Sequence, residues 1–475
     1  MVHLTRLMAL SDYLFQKLCS YLGHSPTDCQ RKLFACFAGY LMQEDGKALF
    51  VVNGYAGTGK TSSVLSIVRL MEEAGQKVAL MAPTGRAAKV LSSYAQKTAL
   101  TIHKTIYREK QRGAAASQFV LHTQAPQDTL FIVDEASLIS NQSFESSMFG
   151  SGALLDDLVE YVWQGRGNRL MLIGDAAQLP PVGLVLSPAL DTGALSRYGR
   201  VYYVEMTQVV RQAVGSGILH VATILRRQIQ ERREGLPGFE LRGFPDVKKI
   251  HGGELMEYLQ EAYDRYGRED TIVLCRSNKR ANRYNEGIRG SILFCDEALQ
   301  RGDRVMVVKN CYQFIDSAVA AELPFIANGD VAEVLRVGRH EERYGCHFAQ
   351  ATLRFSDYKD IELDTKVLLD TLSLETPSLG TERQQTLFAE VLLDYAHISG
   401  RAKMYAAARE DVYYNALQLK YAAAITTHKA QGGQWKAVFI DYAFFKDHVH
   451  NVEDLRWFYT AVSRATGCLY LVNFP

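Results

Sequence analysis

The chain has 475 residues, of which 47% are hydrophobic and 22% charged, so it is long enough for two or three ordinary globular domains. Its 53 basic and 52 acidic side chains leave a net charge of +1, which excludes a protein that coats nucleic acid by bulk charge but not a local basic groove. No run of about eighteen apolar residues predicts a membrane span, and the 8 cysteines form no CxxC pair, which favours a reducing, cytoplasmic compartment over a disulfide or zinc framework.

Apolar strands alternate with amphipathic helices through the first half of the chain. The strings ALFVVNG, KVALMAP, TLFIVDEAS and RLMLIGD predict buried strands, and SSVLSIVRLMEEAG predicts a helix that ends at Gly75. This alternation indicates βαβ units and a parallel sheet covered on both faces, which is an α/β fold. The polar segment 107–127 interrupts the pattern, and a short hairpin and a surface loop fit it equally well.

The second half begins with another α/β unit and then changes character. TIVLCRSNKRANRYNEGIR predicts a strand followed by a helix, whereas RGDRVMVVKN, FIANGDVAEVLRV and CHFAQATLRFSD predict successive strands, with a hairpin turn at Asn328-Gly329. The α/β pattern returns in YAAAITTHKAQ, KAVFIDYAFF and CLYLVNF. We therefore expect a first lobe over 1–200, a second over 201–301 and 405–475, and a β-rich insertion over 302–404.

The string GYAGTGKT lies between a predicted strand and a predicted helix and fits the pattern GxxxxGK[ST]. Its glycines let backbone N–H groups surround phosphates, and the helix N-terminus adds a favourable dipole. We expect Lys60 to reach the β- and γ-phosphates of ATP and the Thr61 hydroxyl to ligate Mg²⁺, whereas an ordinary glycine-rich turn is the alternative. The candidate nucleotide-binding residues are Gly54, Tyr55, Ala56, Gly57, Thr58, Gly59, Lys60 and Thr61.

Polar groups also follow two later strands. In FIVDEAS, Asp134 can hold the Mg²⁺ shell and Glu135 can polarise an attacking water. In LIGDAAQLPPVG, Gln178 follows a buried strand in a proline-containing turn, from which its amide can sense a γ-phosphate. Alone, either string could be a solvated strand end. After a phosphate-binding loop, they favour nucleotide hydrolysis by water.

Read together, these strings resemble superfamily 1 helicases of the RecD-like and Dda-like branch. LMAPTGRAAKVL resembles motif Ia, TIHKTIY motif Ib, EMTQVVRQ motif IV, YAAAITTHKAQGGQW motif V and FYTAVSRA motif VI, in the family's order. The resemblance implies two RecA-like lobes, with a hairpin-like insertion in the first and an SH3-like one in the second. It also implies an ATP-dependent motor that moves 5′ to 3′ on single-stranded DNA and unwinds duplex.

The same resemblance assigns individual residues. Arg211 and Arg464 would reach from the second lobe to the γ-phosphate, and Gln30 would read adenine, although surface ion pairs and a solvated glutamine are the alternatives. The family's strand-binding positions correspond to Pro83, Thr84, Arg86, His103, Asn278, Thr427, His428 and Lys429. This chain has Ala430 and Gly433 where the family commonly has serines, so contacts by those hydroxyls are in doubt.

Three other functions compete with the helicase. A translocase that strips proteins from single strands fits if segment 107–127 is a mobile loop, and a nuclease would use the acidic string DIELDTK at 360–366. A non-catalytic ATP switch is disfavoured by the presence of Glu135, Gln178 and both arginines. The expected partners are single-stranded DNA and its junctions with duplex, with replication or repair proteins as further candidates, and the expected state is a monomer.

Overall fold

A computed structural model describes residues 2–43, 47–110, 118–141, 149–210, 215–311, 314, 323, 325–358, 360–445 and 450–475. Within these ranges, no helix combines the length and the apolar character needed to cross a bilayer. The described chain forms two parallel sheets, a closed barrel and a two-stranded hairpin.

The first lobe is built on a six-stranded parallel sheet in the order β3-β2-β6-β7-β1-β8. Its strands are β1 Ala48–Gly54, β2 Lys77–Ala82, β3 Ala99–Thr101, β6 Thr129–Val133, β7 Arg169–Gly174 and β8 Arg200–Met206. Its helices are α1 Val2–Tyr21, α2 Asp28–Leu41, α3 Lys60–Glu73, α4 Gly85–Ala95, α5 Ile102–Ile106, α6 Leu154–Gln164 and α7 Thr192–Leu195. Apolar side chains of β1 alternate between two cores, with Phe50 and Val52 on one face and Leu49 and Val51 on the other. Burial on both faces explains the continuous apolar runs in the sequence.

A hairpin interrupts the first lobe within the predicted segment 107–127. Strands β4 Tyr107–Lys110 and β5 Gln118–Leu121 pair antiparallel, with Tyr107 opposite Leu121 and Lys110 opposite Gln118. The Tyr107 hydroxyl donates to Asp157 at 2.6 Å, which anchors the base of the hairpin on α6. The hairpin-like insertion is therefore confirmed, while its tip at 111–117 lies outside the described residues.

The second lobe carries a five-stranded parallel sheet in the order β16-β10-β17-β18-β9. Its strands are β9 Val247–Ile250, β10 Thr271–Cys275, β16 Ala424–Thr426, β17 Trp435–Asp441 and β18 Ala465–Val472. Its helices are α8 Gly217–Gln230, α9 Leu255–Tyr266, α10 Asn278–Ser291 and α13 Val452–Val462. The apolar core of this lobe includes Tyr55, Ala177 and Leu179 from the first lobe, so the two lobes meet along a shared buried surface.

A closed five-stranded barrel projects from the second lobe. Its strands are β11 Arg304–Val307, β12 Val331–Arg343, β13 Cys346–Phe355, β14 Ile361–Leu368 and β15 Leu417–Tyr421. Helices α11 Thr381–Asp394 and α12 Arg401–Arg409 lie between β14 and β15. The small closed sheet expected in the second lobe is confirmed. Because β15 follows residue 404, we propose that this insertion extends to about Tyr421; the division of the chain into domains otherwise stays a prediction.

Candidate functional site

The phosphate-binding loop follows β1 and leads directly into α3. Gly57 and Gly59 have φ angles of +74° and +79°, which L side chains rarely adopt, and Gly59 caps α3 without a side-chain hydrogen bond. Lys60 Nζ donates to the carbonyl oxygen of Gly54 and, at 3.0 Å, to that of Tyr55. Anionic oxygens are stronger acceptors than these carbonyl groups, so the ammonium is placed to turn towards a phosphate. The loop therefore fits the phosphates of a nucleoside triphosphate.

Asp134 and Glu135 follow β6 beside this loop. Burial, and then the neighbouring Glu135, raise the pKa of Asp134 to about 6, although the Glu135 N–H donates to its carboxylate at 2.8 Å. A buried carboxylate in this position fits Mg²⁺, which is usually held by one or two carboxylates together with phosphate oxygens. Thr61, at the start of α3, is the hydroxyl candidate for the same ion. Glu135 has a φ angle of +52°, a left-handed conformation that is uncommon for this residue type and is found at functional sites.

Asp175 and Gln178 follow β7 and are almost entirely buried. The Asp175 carboxylate accepts the Ala177 N–H at 3.0 Å, and the Asp175 carbonyl accepts the Gln178 N–H at 3.2 Å, so this residue orders the turn that carries Gln178. Gln178 Oε1 has no hydrogen-bond partner among the described residues. An unpaired buried amide oxygen is costly, which fits a group that awaits a water or ligand.

Arg464 brings positive charge from the second lobe to this site. It lies after α13, is 3% exposed, and places Nη1 3.5 Å from Glu135 Oε1 of the first lobe. Its guanidinium is oriented by the carbonyl oxygens of Thr460 at 3.1 Å and Gly433 at 3.3 Å. The side chain is thus held rigidly across the lobe interface. Arg211, the second predicted arginine, lies outside the described residues.

Gln30 is fully buried near the start of α2, so it is not the solvated helix-start residue of the alternative interpretation. Its Oε1 accepts the Thr27 N–H at 3.0 Å in a capping box. Its Nε2 lies 3.4 Å from the Ser63 hydroxyl, beside the phosphate-binding loop. The amide is therefore placed next to the nucleotide site, but its role in reading adenine stays a prediction.

Three predicted strand-binding residues precede or begin α4. Pro83 is half-buried, and the Thr84 hydroxyl caps the helix by accepting the Ala87 N–H at 3.2 Å. The Arg86 guanidinium lies 3.9 Å from the centre of the Trp435 ring of the second lobe, and burial lowers its pKa to about 10. The structure therefore places Arg86 in the lobe interface, and its predicted contact with a nucleic-acid strand stays a prediction.

His103 lies in an aromatic cluster at the base of the hairpin. Its ring is 5.0 Å from Phe149 and 5.7 Å from Tyr107, and burial lowers its pKa to about 4. The imidazole is therefore neutral at physiological pH and offers no positive charge to a phosphate. Any contact between His103 and a nucleic-acid strand stays a prediction.

The remaining predicted strand-binding residues lie in the second lobe near the barrel. Asn278 begins α10, and burial lowers the pKa of His428. Thr427 Oγ1 and Lys429 Nζ are buried without a hydrogen-bond partner among the described residues, and burial lowers the pKa of Lys429 to about 8. Two unpaired polar groups in one short segment fit a surface that receives a ligand. The acidic segment 360–366, which a nuclease would use, lies in the barrel at β14. There Lys366 forms an ion pair with Glu341 at 3.1 Å.

The sequence-based prediction missed two residues of α13 that reach the first lobe. Tyr459 contacts the phosphate-binding loop, and Arg456 Nη1 donates to the carbonyl oxygens of Ala176 at 2.6 Å and Gln178 at 3.2 Å. Both lie within or beside the string FYTAVSRA, in which only the arginine was singled out. The available signal in the sequence was a predicted amphipathic helix that carries a tyrosine and a nearby arginine.

Two family models match separate parts of the chain. Residues 38–234 match the AAA domain, and residues 421–472 match the UvrD-like helicase C-terminal domain. The ATP-dependent RecD2 DNA helicase of Deinococcus radiodurans is 35% identical over 193 residues, which are 39% of this chain and 22% of that protein. The ATP-dependent DNA helicase Dda of Enterobacteria phage T4 is 25% identical over 311 residues, which are 63% of this chain and 64% of that protein. The chain thus spans less than two thirds of either relative.

Solved structures of Pif1 helicases align over most of the chain. One, of two coordinating Pif1 helicases at forked double-stranded DNA, has a TM-score of 0.47 at 19% identity, and the alignment covers 94% of this chain and 92% of that chain. Another, Pif1 helicase from Bacteroides in complex with ADP-AlF3 and single-stranded DNA, has a TM-score of 0.45 at 16% identity and covers 95% and 93%.

A phosphate-binding loop, two strand-end carboxylates and an arginine from a second parallel-sheet lobe together form a site that fits the binding and hydrolysis of a nucleoside triphosphate. The two matched domains and the two relatives make the chain similar to superfamily 1 helicases of the RecD-like and Dda-like branch.

Proposed function

We propose that this chain is an ATP-dependent DNA helicase that moves 5′ to 3′ along single-stranded DNA and unwinds duplex. The observation that carries the proposal is the 3.5 Å approach of Arg464, from the second lobe, to Glu135 of the first. Because the arginine and the glutamate belong to different lobes, hydrolysis requires the lobes to close. A strand held across both lobes can then be moved as they open and close.

Each candidate residue has a role in this cycle. Lys60 binds and orients the terminal phosphates, while Glu135 takes the proton of the attacking water. Arg464 stabilises negative charge that develops on the phosphoryl group, and Gln178 orients the water or senses the phosphate. Bound at Asp134 and Thr61, Mg²⁺ would supply neutralisation of the phosphate oxygens. Loss of the γ-phosphate removes one negative group of the first lobe's site that attracts Arg464, and so favours opening.

The hairpin favours unwinding over a second candidate function, the stripping of proteins from single strands. Its described strands are paired and its base is fixed by the hydrogen bond from Tyr107 to Asp157, so the described part is an ordered hairpin rather than a loose loop. An ordered hairpin beside a moving strand can divide the two strands of a duplex. We propose single-stranded DNA and its junctions with duplex as the substrates, action as a monomer in the cytoplasm, and roles in repair or recombination.

The proposal is tested with matched duplexes that bear only a 5′ or only a 3′ single-stranded tail. With ATP and Mg²⁺, the 5′-tailed duplex should be unwound and the 3′-tailed duplex should not. Lys60→Ala is the control, because it removes the charge that the loop brings to the γ-phosphate, so it should abolish hydrolysis while the protein stays folded. Unwinding from the 3′ tail alone would overturn the polarity, and ATP-dependent protein displacement without unwinding would favour the second candidate.

A further inference from the structure

Tyr459 connects three segments of the nucleotide site across the lobe interface. It lies on α13 of the second lobe and is 1% exposed. Its hydroxyl accepts the N–H of Ala56, the third residue of the phosphate-binding loop, at 2.9 Å. The same hydroxyl donates to Asp175 Oδ2, beyond β7, at 2.6 Å. One oxygen atom therefore holds two separate parts of the first lobe against the second.

Both hydrogen bonds lie in a buried site, and the bond from Tyr459 to Asp175 has a carboxyl group as its acceptor. Asp175 is 1% exposed, and burial raises the pKa of its carboxyl group, which Lys60 opposes. A hydrogen bond to an ionised group is worth more than one between neutral groups. Separation of the lobes would leave both the Ala56 N–H and the Asp175 carboxylate without this partner. The contact is therefore specific to the closed arrangement.

Asp175 in turn controls the position of Gln178. Its other carboxylate oxygen accepts the Ala177 N–H at 3.0 Å, and its carbonyl accepts the Gln178 N–H at 3.2 Å. A carboxylate held by Tyr459 thus fixes the turn that presents the Gln178 amide. The aromatic ring of Tyr459 packs in the core shared by the two lobes. That packing does not require the hydroxyl group, which makes the two hydrogen bonds.

We infer that Tyr459 is a positioning residue for ATP hydrolysis, whose hydroxyl sets the phosphate-binding loop and, through Asp175, Gln178 in their reactive arrangement when the lobes close. The inference rests on the proposed function and goes beyond it. Closure of the lobes would fix the positions of the phosphate-binding loop and Gln178, in addition to bringing the charge of Arg464 to the site. Tyr459 does not touch the reacting atoms. It acts through Ala56 and Asp175.

The experiment is the Tyr459→Phe variant, which removes one oxygen atom and keeps the ring. The value of kcat for ATP, with and without single-stranded DNA, should fall on the order of tenfold, the effect of losing a buried hydrogen bond to a charged group. The binding of a non-hydrolysable ATP analogue and the melting temperature should stay near wild type. Tyr442→Phe is the matched control, since this buried hydroxyl of the same lobe contacts His450 at 3.2 Å, away from the described nucleotide site.

A double-mutant cycle of Tyr459→Phe with Asp175→Asn tests whether Tyr459 acts through Asp175. If Tyr459 acts through Asp175, the two substitutions together should cost much less than the product of their separate effects. Independent effects, an unchanged kcat in Tyr459→Phe, or equal losses of analogue binding and kcat would each overturn the inference. Failure of the proposed function would give a different result. If DNA does not stimulate hydrolysis by the wild-type protein, the helicase proposal fails, but the effect of Tyr459→Phe on the basal kcat can still be measured.

Discussion

Arg464 donates to two carbonyl oxygens of its own lobe while it faces Glu135 of the other. Arg464→Ala should therefore leave ATP binding nearly intact and lower DNA-stimulated hydrolysis about a thousandfold, the scale found for arginines that act in trans on phosphoryl transfer. Steady-state hydrolysis and equilibrium binding of ATP measure the two effects. Arg401→Ala, on α12 of the barrel, is the control for loss of an arginine elsewhere. Full stimulated turnover in Arg464→Ala would show that the residue only joins the lobes.

Asp330 gives a prediction for the dependence of stability on pH. Burial raises its pKa to about 7, although its carboxylate accepts from the Ala327 N–H at 2.7 Å and the Tyr358 hydroxyl at 2.9 Å, and Asp357 adds a like charge nearby. The folded-state pKa exceeds the unfolded value, so the stabilisation by protonated Asp330 is present at acid pH and is lost as pH rises through about 7.

Asp330→Asn removes this titration and can keep both hydrogen bonds, since an amide offers an oxygen to Ala327 and an N–H to Tyr358. The melting temperature of the variant should therefore rise relative to wild type between pH 5 and pH 8. Asp364→Asn, at an exposed position of the same barrel, should show no such trend. A difference between Asp330→Asn and wild type that is constant with pH would contradict the account.

At the scale of residues, the positions of the phosphate-binding loop and its carboxylates could be predicted from the sequence, because these groups follow buried strands directly; their roles stay predictions. The sequence predicted less about side chains whose partners are distant in the chain. Arg86 packs on Trp435, and His103 packs among Phe149 and Tyr107. Such contacts depend on how whole elements meet, which a local string does not contain. Tyr459 escaped notice for the same reason.

At the scale of elements, the hairpin is the feature that most directly bears on the proposed unwinding activity. Because Lys110 lies opposite Gln118, residues 111–117 can be replaced by Asn-Gly, a two-residue turn that suits a hairpin and leaves both described strands intact. The shortened protein should hydrolyse ATP with single-stranded DNA as wild type does but unwind 5′-tailed duplex several times more slowly, as measured by strand-separation kinetics. Undiminished unwinding would mean that residues 111–117 are not needed to separate strands.

The Asn328-Gly329 turn illustrates how far elements could be predicted. The turn exists, since the Asp330 N–H donates to Ala327 at 3.1 Å and Gly329 has a φ angle of +98°. It does not join two long neighbouring strands, however, because it connects an isolated bridge at Ile326 to β12, and β12 pairs with β11 further back. Likewise, β15 enters the barrel after two intervening helices. The turn could be predicted from its local residues, whereas the pairing of strands that are distant in the chain could not.

At the scale of the whole molecule, the net charge of +1 implies that any grip on DNA depends on where a few cations lie. Arg86 has two candidate roles, a phosphate contact and a contact between the lobes, and these roles make opposite predictions. On the surface it would bind a phosphate, whereas in the structure it lies 3.9 Å from the centre of Trp435 across the interface, beside the bond from Tyr94 to Gln434 at 2.9 Å. A stacked guanidinium joins α4 to the second lobe.

Arg86→Met, which keeps an apolar stem against Trp435, should therefore weaken closure of the lobes without removing a phosphate contact. Without nucleotide, the salt dependence of binding to single-stranded DNA should match that of wild type. An ATP analogue should close the variant less completely, as measured by energy transfer between dyes on the two lobes. Arg69→Met, on the exposed side of α3, is the matched control. If Arg86 instead binds a phosphate, the slope of log K against log salt should fall in magnitude by about 0.7, the value for one contact to a single strand. That outcome would assign Arg86 to the strand-binding surface, and contacts such as those of Arg456, Tyr459 and Arg464 would still join the lobes.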